Sequence, residues 1–262
     1  MSGITDARVR VHVPDRHLGN ADARNEGVRL AHAKWIALLD DDDEWLPRKL
    51  ELQLDAAQKA GTEFPIVSCR LIARDERGDR VWPRRLPEPG EDMSEYFFCR
   101  TLPFSGEGMV INSGILAPKE LFDRVPFTSG LTRHVDPDWL LRAAKFPGTS
   151  LIFPDATEPL VIWHTEQQRS RITTKRNWRE SLAYCRANRE LFTRRGYAAF
   201  VLHVVGSAAA ADGELKAFSQ LLRESFAHGR PAAVDLVSHV GNFLLPLGVQ
   251  RRIAGLYERI AA

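Results

Sequence analysis

The chain has 262 residues, 44% hydrophobic and 27% charged, a composition that excludes wholesale disorder and can bury a sizeable core. A formal net charge of +2 gives no general case for nucleic acid, and no apolar run reaches the length of a membrane span. Three widely spaced cysteines (Cys69, Cys99, Cys185) with no CxxC pair point to neither a zinc site nor a disulfide framework, so a reducing, cytoplasmic setting is expected.

Met1 to Asp6 lacks a basic-then-apolar signal pattern. Arg8 to Val13 alternates polar and apolar residues and predicts a strand. Asn20 is a candidate cap for a helix carrying Ala23, Val28, Leu30 and Ala31. Trp35-Ile36-Ala37-Leu38-Leu39 then runs unbroken into Asp40-Asp41-Asp42-Asp43-Glu44. The apolar run predicts a strand buried on both faces of a largely parallel sheet, with the acids at its carboxyl end, where α/β sheets bind ligands. In an extended chain residues two apart face the same way, so Asp40 and Asp42 would share a focus with Asp43 close behind. Crowded carboxylates call for a cation, and hard oxygen donors suit Mg²⁺ or Mn²⁺. The competing reading is a solvated acidic loop. An EF-hand is excluded, because Trp45 stands where its glycine is required.

Pro47 suits a first helical position, with Leu50, Leu54 and Ala57 on one face of the helix that follows. Pro65 to Ile72 predicts a strand, Asp75 to Asp79 a turn, and Val81 to Asp92 a loop over the site. Met109 to Leu116 reads as a strand and Pro118 to Phe122 as a short helix. His134-Val135-Asp136-Pro137-Asp138 leads into a helix from Trp139, and Ser150 to Phe153 and Leu160 to His164 read as closing strands. From about Thr173 the pattern turns helical, in the sets Trp178, Leu182, Cys185; Tyr197, Val201, Val204, Ala208; and Val249, Ile253, Leu256, Ile260.

The order of motifs resembles the family 2 glycosyltransferases. The likeness rests on Ala23-Arg24-Asn25-Glu26-Gly27, then Asp40-Asp41-Asp42-Asp43, then Asp136-Pro137-Asp138-Trp139-Leu140-Leu141-Arg142, and covers roughly Val9 to Thr174. It implies an α/β fold of the nucleotide-diphospho-sugar transferase type (Rossmann-like, glycosyltransferase A) with a mixed sheet. A catalytic domain would occupy 1–172 and a helical region 173–262. It implies an inverting, metal-dependent transfer of a sugar from a nucleotide-diphosphate donor to an acceptor hydroxyl, in polysaccharide or glycoconjugate assembly. By the same resemblance, Asp42 with Asp40 and Asp43 would hold Mn²⁺ or Mg²⁺, and His164 would be a further ligand. Arg24, Asn25, Asp40 and Asp41 would seat the nucleotide-sugar, and Asp136 would be the general base.

Each role has a structural counterpart. Asp136 and Asp138 would serve equally as helix caps, His164 as a packed histidine, and Arg24 as a surface charge. His134 would orient the neighbouring acid or face solvent. The resemblance further implies a leading strand, helix and strand that build half the nucleotide pocket, and no hydrophobic strand or Asp-Asp-Gly-Ser-like turn precedes Val9. The expected protein is therefore either longer than this chain or weakened in donor binding, with an exposed sheet edge. A non-catalytic remnant that binds a sugar or a partner protein is the alternative. A phosphoryl-transfer enzyme would want a GxxxxGK[ST] loop, which the sequence lacks. The acceptor would be a saccharide or a lipid-linked saccharide. Arg169, Arg171, Lys175, Arg176 and Arg251-Arg252 beside apolar helical faces allow peripheral contact with an anionic membrane.

Overall fold

The structure is a computed structural model that describes residues 6–76, 78–102, 107–165 and 177–245, together with 248, 249 and 252. Among these, helix α1 (Gly19–Leu30) leads to strand β1 (Trp35–Ala37), β2 (Asp43–Trp45), helix α2 (Lys49–Lys59) and strands β3 (Phe64–Val67), β4 (Leu71–Asp75) and β5 (Gly78–Trp82). Helix α3 (Met93–Phe98), a 3-10 turn at Asn112–Gly114, strand β6 (Leu116–Pro118), helices α4 (Lys119–Arg124) and α5 (Val135–Ala144), and strands β7 (Thr149–Ile152) and β8 (Val161–His164) follow.

The strands form two mixed four-stranded sheets, ordered β1-β6-β3-β7 and β2-β8-β4-β5. Among the described residues β3–β7 and β4–β8 are the parallel pairs. Among the described strands the chain passes between the sheets five times, twice by a short bend: β1 leads into β2 through Leu38 to Asp42, and β3 into β4 through Ser68 to Arg70. The acidic run therefore lies on the bend that joins the two sheets.

Several expectations change. Residues 8–13 form no strand. Val9, Val11 and Val13 are exposed, and the segment is tied to α1 through Arg10 Nη2 to the Leu30 carbonyl (3.2 Å) and His12 to Glu26 (3.1 Å). Alternation specifies two faces but supplies no partner strand. Strand β1 is three residues long, lies at a sheet edge among the described residues, and pairs antiparallel with β6. The stretch 65–72 is two strands, because the chain changes sheet at Ser68. The strand expected over 109–116 begins only at Leu116, after the 3-10 turn. Asn20 sits inside the first turn of α1 rather than capping it, and α2 starts at Lys49, two residues beyond Pro47. The inward face of α2 is Lys49, Gln53 and Ala57, while Leu50 is exposed.

The helical region is α6 (Trp178–Ala187), α7 (Arg194–Ala199), a π-helical turn (Phe200–Val205), α8 (Gly206–Ala211), α9 (Leu215–His228) and α10 (Ala233–Leu244). Trp178, Leu182 and Cys185 are buried as expected, as are Tyr197, Val201 and Ala208. One hydrophobic core runs from the first sheet through α5 into these helices. Trp139 is fully buried and stacks on Phe122 and Phe127, with ring centroids 4.5 and 5.5 Å away. Phe98, Phe192, Phe200 and Tyr184 pack α3 and α6 against the π-helical turn. A Cβ at Gly196 would overlap Ser94, so glycine lets α7 close on α3. Among the described residues no helix is long and apolar enough to cross a membrane. The basic residues Arg169, Arg171, Lys175 and Arg176, part of the loop at 104–109, and the repeat positions Ile253, Leu256 and Ile260 lie outside the described residues.

Candidate active site

The four aspartates do not extend as a strand. The Asp40 carbonyl accepts from the Asp43 N–H at 3.2 Å, closing a turn over Asp41 and Asp42. Aspartate favours such turns because its short side chain competes for local backbone hydrogen bonds. The turn brings Asp40 and Asp43 together on one hydroxyl, and the charges of both Asp42 and Asp40 act on Asp43. The hydroxyl is that of Ser113: its Oγ accepts from the Asp40 N–H (3.0 Å) and donates to Asp43 Oδ2 (2.5 Å). Asn112 Nδ2 donates to Asp40 Oδ1 at 2.7 Å.

Arg24, on α1, reaches the same place. Nη2 donates to Asp40 Oδ1 (3.1 Å) and Nη1 to Asp136 Oδ1 (2.5 Å), with the guanidinium 5.4 Å from the Phe127 ring centroid. Asp136 lies in the first turn of α5 and is not its cap; His134 holds that position, in the left-handed region at φ 58°. Burial raises the Asp136 carboxyl above its ordinary range, Arg24 opposes this, and Asp40 adds to it; the Asn112 backbone N–H also favours the charged form. The net direction is upward, the condition a carboxylate base needs.

Asp138 is a different kind of acid. It is fully buried, accepting from Thr128 Oγ1 (2.7 Å), Arg142 Nη2 (2.8 Å) and Tyr184 Oη (3.1 Å), so it ties α5 to α6. Asn25 is likewise occupied. Its amide donates to the Phe127 carbonyl and accepts from the Phe127 N–H, both at 2.9 Å, which fixes α1 against the segment after α4. His134 packs on Tyr184 and Phe200, with Nε2 2.8 Å from Ser181 Oγ, so it neither orients Asp136 nor faces solvent.

The expected metal set was Asp40, Asp42, Asp43 and His164. Among the described residues no group of three or more His, Cys, Asp or Glu side chains converges to hold an ion, so Asp40, Asp42, Asp43 and His164 do not form a ready cage. His164 Nε2 lies 2.7 Å from Glu44 Oε1 on the adjacent strand β2. A smaller donor set still fits a divalent cation. Asp43 Oδ1 is buried with no hydrogen-bond partner, and its carboxyl is raised to about 6 by burial and then by Asp42 and Asp40, against the opposing Ser113 bond. An unsatisfied carboxylate oxygen in acidic surroundings suits a hard cation, and Mg²⁺ commonly takes only one or two carboxylates plus substrate phosphates. Asn112, Ser113 and Trp45, whose Nε1 donates to the Ser113 carbonyl at 2.9 Å, are site residues that the reading by periodicity missed. The available signal was the polar triplet Asn112-Ser113-Gly114 inside an apolar run.

Residues 3–125 match the family model described as glycosyl transferase family 2. The matched stretch, which holds Arg24 and the acidic turn, is just under half of the chain. The chain is 24% identical over 201 residues to the amylovoran biosynthesis glycosyltransferase AmsB of Erwinia amylovora, which covers 72% of this chain and 64% of that protein. It is 35% identical over 84 residues to the UDP-Glc:alpha-D-GlcNAc-diphosphoundecaprenol beta-1,3-glucosyltransferase WfgD of Escherichia coli, covering 32% of this chain and 33% of that one. It thus spans less than two thirds of either relative. A crystal structure of S. aureus TarS 1–349 in complex with UDP-GlcNAc aligns at 12% identity and a TM-score of 0.47, over 92% of this chain and 61% of that one. The mixed sheets and flanking helices are the α/β arrangement that the motif order implied.

Proposed function

We propose that the chain transfers a sugar from a nucleoside-diphosphate donor to an acceptor hydroxyl with inversion, in polysaccharide or glycoconjugate assembly. The observation that carries this reading is the placement of Asp136: a carboxyl raised by burial yet held by Arg24 beside Asp40, next to the acidic turn. Relatives named as an amylovoran biosynthesis glycosyltransferase and as a UDP-Glc:alpha-D-GlcNAc-diphosphoundecaprenol beta-1,3-glucosyltransferase support it.

Asp136 takes the proton of the acceptor hydroxyl as that oxygen attacks the anomeric carbon. The bond to the diphosphate oxygen breaks on the opposite face, so the configuration inverts in one displacement. Arg24 keeps Asp136 ionised and aimed. Asn112 supports Asp40 through its side chain and Asp136 through its backbone N–H. A divalent cation, Mn²⁺ or Mg²⁺, would be held by Asp42 and Asp43 beside Asp40, and it would supply positive charge to the leaving diphosphate. Asp41, on the outside of the turn, completes the donor side. The catalytic unit is placed in residues 1–172 and the helical region in 173–262, with a saccharide or lipid-linked saccharide as acceptor.

Incubation of the chain with UDP-sugars and Mn²⁺, with NMR of the anomeric proton, tests this. The expected result is cation-dependent UDP release and an inverted product. A retained configuration, or no donor binding with any nucleotide-sugar, would overturn it.

A further inference from the structure

Helix α2 turns two polar side chains inward directly behind the acidic turn. Lys49 is 1% exposed and Gln53 is 0% exposed. Lys49 Nζ donates to Gln53 Oε1 at 2.6 Å and lies 4.3 Å from the Trp45 ring centroid. Among the described residues no carboxylate pairs with it, and burial lowers its pKa to about 8. Burying a lysine without a carboxylate costs stability, which its hydrogen bond to Gln53 offsets only in part.

The contacts lead to one place. Gln53 Nε2 donates to the Gly114 carbonyl (2.7 Å) and the Val67 carbonyl (2.9 Å). Trp45, under the Lys49 ammonium, donates to the Ser113 carbonyl (2.9 Å). Two consecutive carbonyls of the 3-10 turn are thus gripped from the α2 side. The same turn presents the Ser113 hydroxyl to Asp40 and Asp43, and Asn112 to Asp40 and Asp136.

We infer that Lys49 and Gln53 are positioning residues for the proposed transfer: through Trp45 and the Gly114 carbonyl they lock the Asn112–Gly114 turn, and so fix where Asp40, Asp43 and Asp136 present their oxygens. The inference rests on the transferase reading. Its sign separates it from simple charge effects. Removing a cation near an acidic site should by Coulomb's law alone tighten binding of a metal ion. Loss of positioning weakens it.

Calorimetry of UDP with Mn²⁺ on the full chain reads the difference. Lys49→Met and Gln53→Leu are each expected to unfold cooperatively and to weaken Mn²⁺-dependent UDP binding at least tenfold. Tyr197→Phe removes a hydrogen bond to Glu224 in the helical region and serves as the stability-matched control, with an affinity within twofold of wild type. Trp45→Phe keeps the ring under Lys49 but deletes the indole N–H, and is expected to weaken binding at least threefold even if Lys49→Met fails to fold. Unchanged or tighter binding in Gln53→Leu and Trp45→Phe would overturn the inference alone. A wild-type chain that binds no UDP with Mn²⁺ would overturn the transferase reading and the inference with it.

Discussion

Arg24 Nη1 meets Asp136 Oδ1 at 2.5 Å, although the two residues are 112 positions apart, on α1 and α5. The other prong of the same guanidinium holds Asp40. One planar cation therefore sets the spacing between the carboxylate assigned to the acceptor and the one that opens the acidic turn. Removing it leaves only the Asn112 backbone N–H to oppose burial and Asp40, which push the Asp136 proton affinity up. A base with a higher pKa is lost at the acid side of the profile. Arg24→Met is expected to move the acid limb of the pH–rate curve upward by about one pH unit. Arg24→Lys should recover part of the rate but not the fork. An acid limb that stays in place in Arg24→Met would mean that Arg24 does not govern Asp136.

Asn25 was assigned to the donor by motif, yet both ends of its amide are taken by Phe127. Asn25→Ala is expected to destabilise the fold by about 2 kcal/mol, the scale for unpairing buried backbone groups. Donor affinity should change less than threefold. Denaturant unfolding alongside calorimetry checks this, and a large loss of donor affinity at unchanged stability would restore the motif assignment.

Asp43 is raised to about 6 in the folded protein, against 3.8 for the ordinary side chain. From pH 3.8 to 6 the folded state holds the proton more tightly than the unfolded one, so the cation-free protein loses stability as pH rises through that window. Asp43→Asn removes the charge. Its stability should exceed wild type at pH 7.5 without divalent ions by about 1 kcal/mol, well below the full displacement because solvent screens the part-exposed carboxylate. The gap should close below pH 4. A thermal scan across pH that shows a constant gap would contradict this.

His134 runs the other way. Burial, reinforced by Arg133, lowers it from 6.5 to about 4 at the joint where α5 meets α6. The unfolded chain takes a proton first, so stability present above pH 6.5 is lost as pH falls toward 4. His134→Asn, a residue that tolerates the left-handed backbone, should be less stable than wild type at pH 7.5 and show a flatter acid slope between 6.5 and 4. An unchanged slope would place the acid-sensitive group elsewhere.

The helices were legible because apolar spacing reports a buried face directly, as at Trp178, Leu182 and Cys185. The clustering of the acids at the end of β1 was legible, but not their geometry: a turn over Asp40 to Asp43 and an extended run look alike in sequence. Strand pairing was the weakest reading. Val9, Val11 and Val13 alternate as a strand does, yet nothing in that segment specifies a neighbour. Lys49 and Gln53 were missed because the inward face of α2 was sought among its leucines. Polar side chains that satisfy each other inside a core leave no hydrophobic period to read.

The most direct measurement is on Asp136→Asn, with UDP–Mn²⁺ affinity and sugar transfer read on the same preparation. The substitution keeps the shape and removes the proton acceptor. The account predicts an affinity within threefold of wild type and transfer reduced by roughly 10²–10⁴-fold, the range for a lost general base. Transfer at the wild-type rate, with binding intact, would contradict it.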